Sequence, residues 1–368
     1  MTGDSDPAPR PGYRGTVNDL SPPSLDDDRL RTLSVVVPVY NEQSWIARSV
    51  EAVIRAGDRA GLDLDVVVVD DGSTDGTAET VVRLAEADTR IRLVSQENAG
   101  RMAARVTGVT AARHPLVLLL DARVLVREDS LDWIATEGPG YPDARVWCGH
   151  VDVETRGNPV AAFWSGLTKI GWRRYMSDPR VVSFGGDDFD RFPKGTGALL
   201  IEREYFLELA TSFESLYEAQ HLASDDTRLL RRAATDRRIW LSPGFSFDYH
   251  GKTGAGGLRR QAFFRGTTFV DSYLGQSRTL GAALVGASIG GVGLVALTVA
   301  RPAVGGAALA AVWCLVPVAV AASGGTRQEV GAAAALTPPF VAVFGAGVVR
   351  GYYLAARSAL HAQRGARS

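Results

Sequence analysis

The stretch VVVVDDGSTD at 66–75 decides the fold of this 368-residue chain. Four consecutive valines form the short apolar run that a strand buried on both faces needs, and the run ends abruptly in acids, Gly, Ser and Thr. In open parallel α/β sheets, ligands bind just outside the carboxyl ends of the strands. Asp70 and Asp71 are therefore expected at a ligand site, because a plain turn capped by Thr74 or Asp75 does not need two adjacent acids on a buried strand.

Strand and helix patterns alternate on both sides of this stretch. Further aliphatic runs predict strands at 33–37, 91–94 and 116–120. Apolar residues at helical spacing follow each of the first three strands, and Asn41 stands where an N-cap of the first helix is expected. Alternation of this kind predicts an α/β domain with a Rossmann-like, mainly parallel sheet and right-handed crossovers.

Acidic residues follow three of these strands. They are Glu42, the pair Asp70 and Asp71, and Asp121, and the topology places them at one edge of the sheet. A cluster of carboxylates raises its own pKa values unless a cation or hydrogen-bond donors join it, so we expect a bound ligand there. The sequence has neither a P-loop nor a dinucleotide-binding fingerprint, which argues against ATPases and dehydrogenases. The expected ligand is a nucleotide, with or without a metal ion.

The composition argues against several other classes of protein. A formal net charge of -1 gives no electrostatic footprint for nucleic-acid binding, so no nucleic-acid partner is expected. Cys148 and Cys314 are the only cysteines, which argues against a disulfide framework and indicates a reducing compartment. Residues 1–30 hold six acids, several prolines and almost no large aliphatic residues, and we predict that they form a disordered tail.

The end of the chain is apolar. Runs without any charge lie at 280–300, 302–322 and 331–349, and each is close to the ~20 residues that cross a bilayer. The Gly and Ala that these runs contain suit closely packed membrane helices. The predicted organisation is therefore the tail, an α/β domain at 31–275, and an all-α transmembrane region at 276–368 with about three helices and a basic end.

The number of spans is open at this point. Three spans would carry a basic C-terminal end across the membrane, although positive charge favours the cytoplasmic side. The charges concerned are Arg350, Arg357, Arg364 and Arg367. Alternatively, the third run enters the membrane and returns at Pro338 and Pro339. The length of the run at 331–349 slightly favours three spans.

Several ordered motifs resemble one family. PVYNE at 38–42, DDGSTD at 70–75, NAG at 98–100 and an Asp at 121 after an aliphatic strand look like the inverting family 2 glycosyltransferases of the GT-A fold, over about 33–270. The resemblance implies a nucleotide-diphosphate sugar as donor. The donor-binding positions that it implies are Pro38, Tyr40, Glu42, Asp71, Arg101, Asp121 and Arg123.

The metal-binding D-x-D motif of that family is altered here. Where a second acid would coordinate Mg²⁺ or Mn²⁺, the sequence reads Asp121-Ala122-Arg123. In one interpretation Asp121 still holds the divalent cation, with His250 as a second ligand. In another, the guanidinium of Arg123 itself neutralises the diphosphate, for which its fork geometry is suited. In a third, Arg123 is an exposed residue on a turn.

Two later segments also resemble the family. The segment SDD at 224–226 is similar to its T-E-D motif, which implies that Asp226, next to Asp225, is the catalytic base. QAFFRG at 261–266 is similar to the Q-x-x-R-W motif of processive members, so Gln261 and Arg265 are expected near the acceptor and the diphosphate. Because Gly replaces the Trp, transfer of one or few sugars is expected rather than continuous polymer synthesis. Apolar residues at 160–170 follow helical spacing and indicate either core packing or a membrane-surface helix.

The resulting hypothesis is a multi-pass enzyme of the plasma membrane with its catalytic domain in the cytoplasm. It would transfer a sugar with inversion to a lipid-linked or envelope-glycan acceptor, in cell-envelope polysaccharide biosynthesis. Two alternatives stay open: a glycosyltransferase-like protein that binds nucleotides or scaffolds a complex without turnover, and a nucleotidyltransferase. Arg123 favours the scaffold, whereas Asp71 and Asp226 favour an enzyme.

Overall fold

The computed structural model describes residues 31–213, 215–218, 222 and 224–365, so the predicted tail at 1–30 lies outside the described residues. The first half of the domain alternates strands and helices. In chain order these are β1 Thr32–Val39, α1 Ile46–Ala60, β2 Asp63–Asp70, α2 Thr77–Ala87, β3 Ile91–Ser95, α3 Arg101–Ala111 and β4 Leu116–Leu120. The four strands are parallel in the order β3-β2-β1-β4, which confirms the predicted Rossmann-like half.

The second half adds shorter and mixed elements. They are β5 Val124–Val126, α4 Ser130–Thr136, β6 Val146–Val153, α5 Pro159–Gly171, α6 Arg173–Met176, β7 Val182–Phe184, β8 Ala198–Glu202, α7 Arg203–Thr211, α8 Asp225–Asp236 and β9 Ile239–Tyr249. The sheet continues from β4 through β8, β6 and β9 to β5, with β7 also on β9. β8 runs antiparallel to both β4 and β6, so the sheet is more mixed than expected. This antiparallel strand is what brings Gly197 beside Asp121.

The valines of the central strands fill both faces of the sheet. Val66 and Val68 pack in one core cluster with Val50 of α1, whereas Val67 and Val69 pack in the other with α3. Burial on both faces explains the continuous apolar run, since each such side chain contributes about 1.5–3 kcal/mol when removed from water. Gly108 lets α3 lie close to the sheet, because a Cβ there would lie 2.3 Å from Val36.

The turn after β1 differs from the expectation. Asn41 is not the N-cap of α1, since the cap position is Trp45. Asn41 instead has a φ of 55°, and its side-chain oxygen accepts a hydrogen bond from the backbone N–H of Thr74 at 2.8 Å. A short polar side chain tolerates this left-handed conformation. Asn41 therefore ties the loop after β1 to the loop after β2.

Four helices complete the described chain: α9 Gly254–Tyr273, α10 Arg278–Ala300, α11 Pro302–Ala322 and α12 Arg327–Gly365. Within the described residues, α10, α11 and most of α12 are long and apolar enough to cross a membrane. α12 continues unbroken through Pro338 and Pro339, so the chain does not turn back at these prolines. The indole N–H of Trp313 donates at 2.6 Å to the carbonyl of Ala334, which Pro338 leaves without its helical donor.

The helix α5 packs against the C-terminal helices. Val160 and Phe163 are buried in a cluster with Val320 of α11 and Ala333 of α12. The core-packing interpretation of 160–170 is therefore confirmed for this face.

Candidate active site

The carboxyl ends of β1 and β2 form one wall of the site. Asp71 is 4% exposed, and its carboxylate accepts hydrogen bonds from the Gln96 side chain at 2.7 Å and from the backbone N–H groups of Ala99 and Gly100 at 2.8 and 2.9 Å. Asp71 thus fixes the loop that leads into α3. Pro38 is buried beside Val69, whereas Tyr40 is 48% exposed at the same edge.

Arg123 is held in this wall by an acid and an indole. Its Nε donates to Glu42 Oε2 at 2.8 Å, and its guanidinium lies 5.3 Å from the centroid of the Trp45 ring. Lys252 Nζ lies 3.8 Å from the other Glu42 oxygen. Because the Arg123 side chain is only 22% exposed, the interpretation of it as a free turn residue is wrong.

The centre of the site is a buried guanidinium that joins two acids. Arg105, on α3, donates to Asp121 Oδ1 at 3.0 Å and to Asp226 Oδ1 at 3.1 Å, and its side chain is 1% exposed. The Thr196 hydroxyl also donates to Asp226. The acid after β4 and the last acid of the SDD segment are therefore neighbours in the fold, although 105 positions separate them in the chain.

The charges around Asp226 decide its ionisation. Burial raises the pKa of this carboxyl, but Arg105, Arg101, the Thr196 hydrogen bond and Arg265 lower it, and the balance lies below the ordinary value. Asp226 is therefore a carboxylate at neutral pH. Its side chain remains 37% exposed, so a ligand can reach it.

A buried acid of α9, Asp271, fixes the start of α8. Asp225 is the first residue of the helix, after Ser224. Asp271 of α9 is fully buried, and its carboxylate accepts from the backbone N–H of Ser224 at 2.8 Å and pairs with Arg228 at 3.0 Å. α9 thereby fixes the segment that carries Asp226.

α9 also brings its own polar side chains towards the site. The Arg265 guanidinium lies 4.5 Å from the Trp164 ring centroid, and that of Arg101 lies 5.8 Å from the ring of Phe264. Gln261 hydrogen-bonds Tyr249. The segment has one residue more between Gln and Arg than Q-x-x-R-W, and on a helix this spacing places Gln261 and Arg265 on one face.

The residues expected to bind a metal ion, Asp121 and His250, have other partners. Asp121 Oδ1 already accepts from Arg105, and Arg123 stands where the motif has its second acid. The backbone N–H of His250 donates to the Arg123 carbonyl, and its ring lies 4.8 Å from that of Trp45. In the part of the chain that the structure describes, no group of three or more His, Cys, Asp or Glu could hold a metal ion. These residues do not fit the family's two-acid cation site.

Four residues that contribute to the site were given no role in it from the sequence: Trp45, Arg105, Thr196 and Asp271. Of these, Arg105 and Thr196 lie in segments that the sequence itself singles out, 98–108 and 195–197. Arg105 gave a signal, because it shares the inward face of α3 with Ala104, Gly108 and Val109. A charged residue on a buried helical face needs a partner, and so marks a site. The others depend on contacts between distant segments.

Comparison with known proteins finds a family match over part of the chain. Residues 34–132 match the family described as glycosyl transferase family 2. The matched segment runs from β1 into α4 and includes the acids that follow β1, β2 and β4. Over these residues the chain is thus similar to family 2 glycosyltransferases, as the resemblance predicted.

Curated relatives match over part of the chain. Validoxylamine A glucosyltransferase from Streptomyces hygroscopicus subsp. limoneus is 34% identical over 169 residues, covering 43% of this chain and 37% of the relative. Undecaprenyl-phosphate 4-deoxy-4-formamido-L-arabinose transferase from Aeromonas hydrophila is 32% identical over 100 residues, covering 27% and 31%. The chain therefore spans about a third of the length of these relatives.

A solved structure shows the same fold. The mannosyltransferase PcManGT from Pyrobaculum calidifontis, in complex with GDP-Man and Mn²⁺, superposes with a TM-score of 0.53 over 87% of both chains, at 17% identity. The likeness shows the predicted GT-A fold.

Proposed function

We propose that this protein is a membrane-anchored inverting glycosyltransferase that moves a sugar from a nucleotide-diphosphate donor to a lipid-linked or envelope-glycan acceptor. The observation that carries the proposal is the carboxylate of Asp226, ionised and partly exposed, held beside Asp121 by Arg105. The motifs after β1 and β2 lie at the same edge of the sheet and supply the donor side.

The chemistry is one in-line displacement at the anomeric carbon. Asp226 accepts the proton of the acceptor hydroxyl as its oxygen forms the new glycosidic bond, and the bond to the diphosphate breaks with its electron pair on the leaving group. Asp225, at the start of the same helix, is the second candidate for this role. An ionised carboxylate at neutral pH is the correct protonation state for a general base.

The site at α9 favours transfer of single sugars. Gly266 stands where processive relatives carry Trp, and a Cβ there would lie 2.2 Å from the Phe344 carbonyl of α12. A large side chain therefore cannot occupy this position without moving α12. This supports a non-processive enzyme, because the aromatic platform for an acceptor sugar is missing at this position.

The C-terminal helices support membrane anchoring. Ile289, Val295 and Leu315 are each more than 60% exposed on α10 and α11, an apolar surface that suits lipid. One relative named above is an undecaprenyl-phosphate sugar transferase, which supports a lipid-linked acceptor. We place the enzyme at the plasma membrane, with its catalytic domain in the cytoplasm, as part of this proposal. In the PcManGT structure Mn²⁺ accompanies the sugar nucleotide, so positive charge at the diphosphate is expected here too.

Turnover of nucleotide-sugars tests the proposal. Full-length protein in nanodiscs would be assayed for nucleoside diphosphate release with a panel of nucleotide-sugars and polyprenyl phosphate. We expect Asp226→Asn to lower kcat by ~10²-fold or more, since general base catalysis typically contributes that much, while donor affinity is kept. Asp236→Asn, at the other end of α8, is the control and should retain activity. Release of inorganic diphosphate instead would indicate a nucleotidyltransferase, and more than about a tenth of wild-type kcat in Asp226→Asn would exclude this base.

A further inference from the structure

We propose, on the basis of the transfer function above, that basic side chains centred on Arg123 bind the diphosphate of the donor and take the place of a divalent cation. At Asp121-Ala122-Arg123, where the family has D-x-D, a guanidinium would then supply the positive charge that a divalent cation otherwise supplies. The contacts of Arg123 and of the neighbouring acids point to this exchange.

Three acids at this edge, Glu42, Asp121 and Asp226, already have cationic partners. Asp121 and Asp226 share the guanidinium of Arg105, and Glu42 is paired with Arg123. A cation bound through Asp121 would compete with Arg105, whose side chain is 1% exposed. Breaking that contact would weaken the pairing of a buried charge, which is strongly unfavourable. These three carboxylates therefore hold arginines in place.

Basic groups outnumber acids in this connected set. Ion pairs or electrostatic interactions join the three acids to five basic residues: Arg101, Arg105, Arg123, Lys252 and Arg265. Tyr249 lies among them and interacts electrostatically with Arg265, Asp121 and Arg123. The excess charge has the sign that a diphosphate requires, and guanidinium forks match phosphate oxygens bidentately.

Arg123 is placed to change partners. It is bound through Nε to Glu42, and Trp45 supports the face of its guanidinium. Lys252 lies 3.8 Å from the same carboxylate with a side chain that is 50% exposed. When Arg123 turns its terminal nitrogens to a phosphate, Lys252 can keep Glu42 neutralised. Glu42 therefore keeps a cationic partner throughout the exchange.

The same cations act on the leaving group. As the bond between the anomeric carbon and the phosphate oxygen breaks, its electron pair stays on the nucleoside diphosphate, and negative charge grows there. Fixed positive groups at that position stabilise the transition state more than the ground state. No co-reactant is needed, because the acceptor proton passes to Asp226.

Binding experiments distinguish positive charge supplied by Arg123 from positive charge supplied by a divalent cation. Calorimetry with UDP, GDP, ADP, CDP and dTDP would be run on the full-length protein, once with EDTA and once with Mn²⁺. We expect the Kd of the bound nucleotide to agree within about threefold between the two conditions, and Arg123→Ala to weaken binding about tenfold or more in EDTA. Arg156→Ala, whose side chain is 92% exposed and pairs with Glu154, is the matched control and should bind like wild type.

The possible results distinguish failure of this inference from failure of the proposed function. Nucleotide binding that appears only with Mn²⁺ would overturn this inference and leave the proposed function standing. Wild-type affinity of Arg123→Ala in EDTA would likewise overturn the role of Arg123. If no nucleotide binds in either condition, the proposed function and this inference both fail. Paramagnetic resonance of Mn²⁺ alone gives a second readout, in which Arg123→Asp should bind the ion more tightly than wild type.

Discussion

Arg105 organises the site at the scale of single residues. Its buried guanidinium neutralises two acids that otherwise would repel each other, and Gly108 on the next turn lets α3 approach the sheet closely enough for this contact. Replacing Arg105 would leave Asp121 and Asp226 close together without a shared cation. A like charge and burial both raise the pKa of a carboxyl.

The pH dependence of kcat/KM should show how Arg105 controls the ionisation of Asp226. The folded pKa of Asp226 is lowered, so its ionised form persists below the ordinary Asp pKa near 3.9. The stability that this ionisation contributes is complete above that ordinary pKa and is lost as the pH falls from it through the lowered folded pKa. In Arg105→Met we expect the acid limb of kcat/KM to move up by about one unit or more, whereas Arg105→Lys should stay closer to wild type. An unmoved limb in a folded Arg105→Met protein would show that Arg105 does not control this ionisation.

At the same scale, some residues of the candidate site could be predicted from the sequence and others could not. Asp71, Asp121 and Asp226 could be predicted because each follows a recognisable strand or motif. The partner of each acid could not, since Asp71 holds a loop 25 to 29 residues away and Asp226 meets Arg105 across 121 residues. Hydrophobic periodicity reports burial of a face, and does not report which distant polar groups meet there.

At the scale of elements, α9 links the site to the C-terminal helices. Asp271 on α9 fixes the start of α8, Arg265 approaches Asp226, and Gly266 packs on Gly347 of α12. The backbones touch at this crossing because neither residue has a side chain. The four strands at 32–120 were predictable from aliphatic runs, but the antiparallel β8 and this crossing come from tertiary packing that no local pattern encodes.

A pair of alanine variants tests the crossing. A Cβ at Gly347 would lie 2.3 Å from the Phe263 carbonyl, whereas one at Gly345 meets nothing within 4 Å. Ala normally stabilises a helix by up to ~1 kcal/mol relative to Gly, so Gly345→Ala should be neutral or slightly stabilising. Gly347→Ala should instead lower stability by about 1–3 kcal/mol, measured by thermal unfolding in detergent, and weaken donor binding by displacing α9. Equal Tm values for the two variants would contradict the close packing.

At the scale of the whole molecule, α12 contacts other parts of the chain near both of its ends. Near its start, Glu329 accepts from Ser165 at 2.5 Å and from Lys169 at 2.7 Å, both on α5. Near its end, Ser358 and His361 both contact Glu218 of the α/β domain, at 3.2 and 3.1 Å. A helix of 39 residues is about 58 Å long, well beyond the ~30 Å hydrocarbon core of a bilayer. Contact with one domain at both ends is incompatible with crossing the membrane away from it.

These contacts favour two spans over the three that sequence length favoured. α10 leaves the α/β domain and α11 returns to it, since Val320 near the end of α11 would lie 3.1 Å from a Cβ at Gly166. α12 would then lie along the domain at the membrane surface. In this arrangement the C-terminal end would lie on the same side as the α/β domain, and with the cytoplasmic orientation proposed above its arginines would satisfy the positive-inside rule. With two spans, the basic C-terminal end no longer has to cross the membrane.

Cysteine labelling in intact cells decides between the topologies. With Cys314 changed to Ser, a membrane-impermeant maleimide should label Arg301→Cys, in the turn between α10 and α11, and should not label Gln363→Cys near the end of α12. In inverted vesicles the pattern should reverse, because the α/β domain and the C-terminal end then face the reagent together. Labelling of Gln363→Cys in intact cells would mean that α12 crosses the membrane, and the contacts of Glu218 with Ser358 and His361 would then not form in the cell.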